Sequence, residues 1–278
     1  MKLLDRIGIA ANQIDKRLIN LLKDVAVIDF DECYTGEKDL RKTIVVGEET
    51  QLPMIFRFVE EAGLSFLVQK KHEYFLYNLI MSAMICKYPD VFLKSPITVI
   101  TRNANSIDRT ITIPFNSTAD KNRIMFECDE FINQNSKNSS IKQNLKVIVS
   151  EMFSNAMYSA PTDDSGNYLY ATHPRNAEVV YPGDAKGEIL LSFNNEIFAV
   201  ACKDPYGSVN KVRVQKRLHQ VFHDNKLAAV EHRNNENLGS GLGLKMIIEN
   251  SIGFGMVVRG GFETLVYACL LYTSDAAD

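Results

Sequence analysis

The chain has 278 residues, of which 46% are hydrophobic and 23% charged, a composition typical of a globular protein with one large or two modest domains. Its net charge of −3 argues against binding nucleic acid through a basic face. No apolar run approaches the roughly 18 residues that span a bilayer, and the first residues lack a signal-peptide core, so we expect a cytoplasmic protein without membrane association.

Cysteine and histidine usage does not favour a metal site. The five cysteines are scattered and form no Cys-x-x-Cys pair, so we expect reduced thiols that pack as small hydrophobic side chains. His219 and His223 lie one helical turn apart, a spacing that can bind a metal ion. Because no third ligand of the right kind lies nearby in the sequence, a solvated helix face is the favoured interpretation.

Residues 1–105 are predicted to form a small α/β region of unknown regulatory role. Apolar side chains recur at helical spacing over residues 7–24 and 73–87. Pro89 ends the second helix, because proline disfavours helical geometry in the residue before it. Residues 25–31 are rich in β-branched side chains and predict a short buried strand.

Two features of this region leave a signalling role open. Asp29 and Asp31 end the predicted strand, as the acceptor of a degenerate receiver-like domain would, but the repeated αβ units of a receiver are not evident. His72 followed by an acid resembles the phosphoacceptor box of histidine kinases, which needs a second long helix returning antiparallel. Prolines and β-prone residues occupy that space, so His72 is interpreted as a surface residue.

Two helices are predicted after a strand at residues 111–115. Ser117 or Thr118 is expected to cap the first helix, over residues 119–134, because hydroxyl side chains accept hydrogen bonds from the first free N–H groups. The second helix is predicted to begin near Ile141 and carries a continuous apolar stripe.

One face of the second helix is polar in an unusual way. Glu151, Asn155 and Ser159 follow each other at four-residue spacing, which stacks the three side chains along one face. A solvated face would be expected to carry more Lys and Arg. The pattern therefore favours a face that lines a cavity, where functional carboxylates collect.

A long connector rich in Pro, Gly, Asp and Asn, residues 161–186, leads to a predicted hairpin. The second strand of this hairpin ends in Lys203-Asp-Pro-Tyr-Gly207. An acid directly after a buried strand can accept a hydrogen bond from a bound base. A simple Asp-Pro turn explains the same residues equally well, so both interpretations stay open here.

Three glycines, Gly239, Gly241 and Gly243, run directly into apolar residues at helical spacing. Free N–H groups at the start of such a helix can bind phosphate, although glycine turns also serve as structural joints. The spacing does not match a Rossmann loop, and the Gly-Lys-Ser/Thr of a Walker loop is absent. The polar residues 208–237 before the loop are interpreted as a lid, and a closing hairpin is predicted around 256–267.

The order of these motifs resembles the histidine kinase-like (GHKL) ATPase domain of histidine kinases, DNA gyrase, heat-shock chaperones and mismatch-repair proteins. Residues 109–268 carry the resemblance, which is closest to the anti-sigma-factor serine/threonine kinases. Glu151-Met-Phe-Ser-Asn155-Ala156 is similar to the family's Glu-x-x-x-Asn-Ala box. This similarity implies that Asn155 binds Mg²⁺ and that Glu151 orients or deprotonates the attacking hydroxyl or water.

The remaining boxes imply contacts to adenine and phosphate. Asp204 and Gly207 resemble the Asp-x-Gly box, whose acid accepts from the adenine amino group, although here the glycine comes three residues after the acid rather than two. Thr264 stands where the family often has a threonine of the adenine site. The glycine box is similar to the family's phosphate-binding loop and implies ATP contacts from Gly239, Gly241, Leu242, Gly243 and Leu244.

The resemblance implies an α+β fold, a two-layer α/β sandwich in which helices cover one face of a mixed sheet, preceded by the small α/β region. The expected domains are residues 1–105 and residues 109–269. The last residues, 270–278, resemble translated sequencing-adapter read-through and are interpreted as a non-native tail.

The implied function is that of an ATP- and Mg²⁺-dependent serine/threonine protein kinase of the anti-sigma type, acting in bacterial signal transduction. A protein partner is expected, either a sigma factor or an anti-anti-sigma-like regulator, and a homodimer is left open. Two alternatives stay open: an ATP-responsive partner-binding module without turnover, and the catalytic core of a histidine kinase.

Overall fold

The computed structural model describes residues 20–23, 25–35, 42–48, 51, 64–70, 74–94, 109–194, 197–210, 213–214 and 242–272. The described residues belong to two compact units: those up to Lys94, together with 213–214, lie in the first unit, and those of 109–210 and 242–272 lie in the second. Within these ranges, no helix combines the length and the apolar character needed to cross a membrane.

As far as it is described, the first unit contains a parallel sheet followed by two helices. Its elements are β1 (Ala26–Asp29), a 3-10 helix (Phe30–Thr35), β2 (Thr43–Gly47), β3 (Phe66–Gln69), α1 (Phe75–Lys87) and α2 (Pro89–Lys94). The strand order is β1-β2-β3, and every residue of the central strand β2 is buried. Asp29, at the end of β1, forms an ion pair with Lys70, which follows β3. The carboxylate that a receiver-like acceptor would use is therefore paired with a cation.

The sequence predicts part of this unit correctly. The strand expected within residues 25–31 is confirmed as β1, and the helix expected over 73–87 is confirmed as α1, with Pro89 directly after its end. The periodicity does not predict β2 or β3, because runs of four or five residues are too short to separate strand from loop or helix. Most of the helix predicted over 7–24, and His72, lie outside the described residues.

The second unit is α+β, with a five-stranded sheet and helices. Its elements are β4 (Arg109–Phe115), a 3-10 helix (Thr118–Asp120), α3 (Lys121–Asn135), α4 (Ser139–Ser159), β5 (Gly187–Phe193), β6 (Ile197–Asp204), α5 (Leu242–Glu249), β7 (Gly253–Arg259) and β8 (Glu263–Leu271). The strand order is β4-β5-β6-β8-β7, and each neighbouring pair is antiparallel. The expectation of a mixed sheet is therefore wrong, because β5–β6 and β7–β8 are hairpins and β8 runs antiparallel to β6.

Side-chain caps explain where the two long helices begin. The Ser117 hydroxyl accepts from the Ala119 N–H at 3.1 Å, and the Asp120 carboxylate accepts from the Ser117 N–H at 3.2 Å, which forms a capping box. At the start of α4, Asn138 Oδ1 accepts from the N–H groups of Ser140 and Ile141 at 3.0 and 3.2 Å. Of the two expected caps, Ser117 caps the 3-10 helix that leads directly into α3, whereas the N-cap residue of α3 itself is Asp120, which makes no side-chain capping bond to that helix.

The core of the second unit lies between α3, α4 and one face of the sheet. Alternate residues of β6, such as Phe198 and Val200, pack there with the apolar stripe of α4. The intervening residues of β6 and of β8, such as Ala201 and Leu265, are buried as well. The central strands are therefore buried on both faces.

The end of β8 extends past the expected domain boundary. Leu270 is buried and Leu271 pairs with Ile197 of β6, so two residues of the expected tail are part of the sheet. The Tyr272 ring packs edge-on against Phe193 with 5.4 Å between ring centroids. Residues 273–278 lie outside the described residues.

Candidate functional site

The polar face of α4 is placed as its spacing predicts. Glu151 and Asn155 are half-buried, and the adjacent Met152 and Ala156 are buried in the core. Neither polar side chain hydrogen-bonds to any residue that the structure describes. An acid and an amide therefore sit at the border of the core with their oxygens available for a ligand.

The glycine-led helix α5 packs beside this face. A Cβ atom built on Gly243 would overlap the Glu151 Oε2 atom and lie 3.2 Å from its Cδ, so glycine at this position lets the Glu151 carboxylate approach the helix without moving aside. Ile247 is fully buried and Leu244 packs against the core, which fixes the helix in place. The backbone of Leu242 starts the helix, whereas Gly239 and Gly241 lie outside the described residues.

A cation that the sequence pattern does not predict lies over the C-terminal end of α4. Arg175, in the connector, donates to the Ser154 carbonyl oxygen and to the Ser159 hydroxyl, both at 3.2 Å. Its guanidinium lies 4.9 Å from the centroid of the Tyr158 ring. Desolvation lowers the pKa of Arg175, while Tyr158 and the Glu151 carboxylate act in the opposite direction. Arg175 is thus electrostatically coupled to Glu151.

The buried acid at the end of β6 is Asp204. Only 5% of its surface is exposed, and it pairs across the sheet with Thr264 of β8. Its Oδ1 atom accepts from the Tyr206 N–H at 3.0 Å. Burial raises the pKa of Asp204 to about 6, although the backbone N–H groups of Tyr206 and Gly207 and the nearby Thr264 hydroxyl oppose this rise. A carboxylate held in this way is a strong acceptor for a polar group of a ligand.

Two hydroxyl groups beside Asp204 are buried without good partners. Thr264 is fully buried, and its hydroxyl is close enough to Asp204 to lower the pKa of the acid but is not aligned for a hydrogen bond. The Tyr206 hydroxyl is also buried, with no hydrogen-bond partner among the described residues. Buried hydroxyl groups are normally paired, so this cluster is chemically incomplete within the described chain.

Gly207 shapes the turn after Asp204. Its φ of +59° lies in the left-handed region, and a Cβ atom there would meet the backbone of Arg259 and lie 2.7 Å from the Phe262 nitrogen. The Gly261 N–H donates to the Gly207 carbonyl oxygen at 3.2 Å. The requirement for glycine is thus explained by the contact between this turn and the β7–β8 turn.

The connector between α4 and β5 joins the two halves of the site. The Tyr181 hydroxyl donates to the Ala156 carbonyl oxygen at 3.0 Å, and its ring packs edge-on against Tyr206 with 5.1 Å between centroids. The Ser208 hydroxyl donates to the Ala160 carbonyl oxygen at 2.6 Å. These contacts link the polar face of α4 to the turn that follows Asp204.

The oxygen atoms of Asn155 and Glu151 suit a magnesium ion that is held mainly by substrate phosphates and water. No group of three or more His, Cys, Asp or Glu side chains that could hold a metal occurs in the described ranges. The oxygens of Asn155 and Glu151 could supply one or two ligands. Mg²⁺ commonly binds through one or two protein oxygens together with substrate phosphates and water, so the residues present fit this ion.

Comparison with known proteins adds no relative: no family model matches the sequence, and no curated protein matches it significantly. The chemistry of the site therefore rests on its own residues. The structure places Glu151 against Gly243. It places Asp204 beside Thr264 and Gly207.

Proposed function

We propose that the second unit binds ATP with Mg²⁺ in the manner of a histidine kinase-like ATPase, and that the protein is a serine/threonine protein kinase of the anti-sigma-factor type. The observation that carries this proposal is the contact between the Glu151 carboxylate and Gly243. It joins two motifs that lie far apart in the sequence, the acid/amide helix and the glycine box. A plain structural joint would not require an acid at this contact.

The buried pair Asp204 and Thr264 supports the adenine end of the proposal. An ionised carboxylate at the end of a strand can accept from the 6-amino group of adenine, and the neighbouring Thr264 hydroxyl can contact the base. Leaving a buried hydroxyl such as that of Thr264 unpaired costs roughly 1–3 kcal/mol, which a bound base would recover. The two ends of the site are joined through Tyr181, as a single nucleotide site requires.

Each residue has a distinct role in the proposed transfer. Asn155 would hold Mg²⁺ through its amide oxygen, and Glu151 would orient the attacking hydroxyl and accept its proton. When bound, the metal ion neutralises negative charge on the phosphates. Backbone N–H groups of the glycine box would hold the phosphates. Most of the rate enhancement in phosphoryl transfer comes from such positioning and charge stabilisation.

A thermal-shift measurement tests nucleotide binding. ATP with Mg²⁺ at one hundred times its Kd should raise the Tm by roughly 5–10 °C for a unit of this size, because a ligand of the folded state stabilises it by about 2.7 kcal/mol. Magnesium alone and ATP with a chelator serve as controls. An unchanged Tm at millimolar ATP and Mg²⁺ would sink the proposal.

Incubation with labelled ATP tests the transfer step. Transfer of label to a sigma factor or an anti-anti-sigma-like regulator, stable to acid, is expected for a serine/threonine kinase. Binding without transfer would instead identify an ATP-responsive partner-binding module. Acid-labile label on the protein itself that is lost in a His72→Ala variant would identify a histidine kinase core.

A further inference from the structure

The side chain of Tyr206 is held in place at the adenine end of the candidate site. Its backbone N–H donates to Asp204 at 3.0 Å, and its ring packs edge-on against Tyr181 at 5.1 Å between centroids. The phenol also interacts electrostatically with the Asp204 carboxylate and with the Tyr170 phenol. The ring is therefore held by packing against Tyr181, in the turn whose backbone is bonded to the buried acid.

Packing does not explain why this residue is tyrosine rather than phenylalanine. The Tyr206 hydroxyl is buried, and the described part of the chain offers it no hydrogen-bond partner. The neighbouring Tyr181 differs, because its buried hydroxyl donates to the Ala156 carbonyl oxygen at 3.0 Å. An unpaired buried hydroxyl lowers stability, whereas a phenylalanine would fill the same space without this cost. The Tyr206 hydroxyl is thus a candidate for contact with a ligand.

The protonation of Tyr206 fixes which hydrogen bond it can offer. Burial, together with the nearby phenol of Tyr170 and the charge of Asp204, raises the pKa of Tyr206 to about 12. At neutral pH the phenol is therefore protonated and can donate, while the adjacent Asp204 carboxylate accepts. A donor and an acceptor two residues apart in one turn can complement the adenine edge, where the 6-amino group donates and a neighbouring ring nitrogen accepts.

We propose that Tyr206 is a specificity-determining residue of the nucleotide site, whose hydroxyl donates to the ring nitrogen next to the amino group bound by Asp204. The inference rests on the proposed ATP-binding function and adds to it a residue that selects the base. It gives a purpose to the two residues, Pro205 and Tyr206, that separate Asp204 from its glycine.

The test measures nucleotide binding by the full chain and by its Tyr206→Phe variant. The ligands are ATP, 1-deaza-ATP and 7-deaza-ATP, which lack the N1 and N7 acceptors of adenine. We expect Tyr206→Phe to weaken ATP binding about tenfold, the scale of one hydrogen bond lost at a buried site. One of the two analogues should bind the wild-type protein about tenfold more weakly than ATP, and this difference should vanish in the variant.

Measuring the Tm distinguishes a ligand contact of the Tyr206 hydroxyl from a structural role. Without nucleotide, Tyr206→Phe should leave the Tm unchanged or raise it, because it removes an unpaired hydroxyl. Tyr181→Phe is the matched control: it removes a buried, paired hydroxyl from the adjacent ring. This control should lower the Tm while leaving the ratio of ATP affinity to analogue affinity unchanged.

Three outcomes would overturn the inference. The first is unchanged ATP affinity in Tyr206→Phe, and the second is an analogue difference that persists in that variant. In both cases the proposed ATP-binding function stands, because the wild-type protein still binds ATP. The third is a wild-type protein that binds no ATP, which overturns the proposed function and this inference together.

Discussion

The two ends of the candidate site are built differently. At the sheet end, Asp204 and Thr264 are buried at neighbouring strand ends, and the contacts of Gly207 are made to backbone atoms. At the helix end, Glu151 and Asn155 are half-buried, and Gly243 meets only the tip of a flexible side chain. The sheet end is therefore preorganised and intolerant of change, while the helix end can adjust. Substitutions at the first should affect stability, and those at the second should affect mainly binding.

The largest effect is expected for Gly207→Ala. Its left-handed φ costs an alanine about 1 kcal/mol, and the overlap of its Cβ with the Arg259 backbone adds roughly 2 kcal/mol, so unfolding free energy should fall by about 3 kcal/mol. Gly183→Ala is the control, because Gly183 has nearly the same φ, +61°, and no atom within 4 Å of an added Cβ. Urea unfolding should show that Gly183→Ala lowers the free energy of unfolding by only about 1 kcal/mol. Equal losses would mean that the backbone contact is unimportant.

Asn155→Ala tests the helix end. ATP affinity in the presence of Mg²⁺ should fall about 100-fold, the scale of one lost contact to a charged group, while the Tm without nucleotide stays within about 1 °C. Asn133→Ala is a suitable control, because Asn133 lies on α3 and pairs with Lys142. Titration calorimetry provides the measurement. Unchanged affinity for ATP and Mg²⁺ would refute the role assigned to Asn155.

Asp204→Asn should act in opposite directions on binding and stability. ATP should bind about tenfold more weakly, because the amide is a poorer acceptor, with a larger loss in adenine recognition than in phosphate contacts. The pKa of Asp204 is about 6 when folded, against 3.8 as the ordinary value, so the folded state binds this proton more tightly than the unfolded state. Stability is therefore lost as pH rises from about 4 to 6.

The size of this loss follows from the pKa difference. Two units correspond to roughly 3 kcal/mol at pH 7, so Asp204→Asn should be more stable than the wild-type protein above pH 6 by up to this amount. The advantage should become small towards pH 4, where the wild-type carboxyl is protonated in the folded state and partly protonated in the unfolded state, and it should vanish at still lower pH. Urea unfolding of both proteins between pH 4 and 8 measures this stability difference. A stability difference that does not vary with pH would show that Asp204 is not the group responsible.

The smallest effect is expected for Gly243→Ala. The added methyl group must push the Glu151 carboxylate aside, which costs about 0.5–1.5 kcal/mol for a side chain forced off its rotamer, or roughly threefold in ATP affinity. Stability should not fall, since alanine favours helix over glycine. Gly260→Ala, where an added Cβ meets no atom within 4 Å, is the control for binding. A loss of several kcal/mol in the free energy of unfolding would contradict the view that the Glu151 side chain can move aside.

The sequence predicts the parts of the site that depend on local periodicity. Four-residue spacing places Glu151 and Asn155 on one helix face, and the apolar run of the second hairpin strand ends in the buried Asp204. Arg175 and Tyr206 are not predicted, because their positions depend on the path of the connector and on ring packing with Tyr181. No spacing rule encodes such contacts between distant segments.

For the fold as well, the features set by local residues can be predicted from the sequence, and those set by distant contacts cannot. Both hairpins of the second unit are predicted from strand and turn residues alone. That β8 rather than β7 pairs with β6 depends on which strand fits the core, and this decides that the sheet is antiparallel throughout. The strands β2 and β3 are too short for periodicity to reveal them.

The backbone link between Gly261 and Gly207 offers a way to observe the site in solution. Phe262 follows this link in the β7–β8 turn and is 70% exposed, so a fluorophore on a Phe262→Cys variant would report on the turn after Asp204. The described native thiols of this unit are buried, and burial raises the pKa of the Cys128 thiol to about 12, which suppresses its labelling. With Cys33 and Cys86 replaced by serine, a single dye would test in real time whether added nucleotide changes the surroundings of this turn.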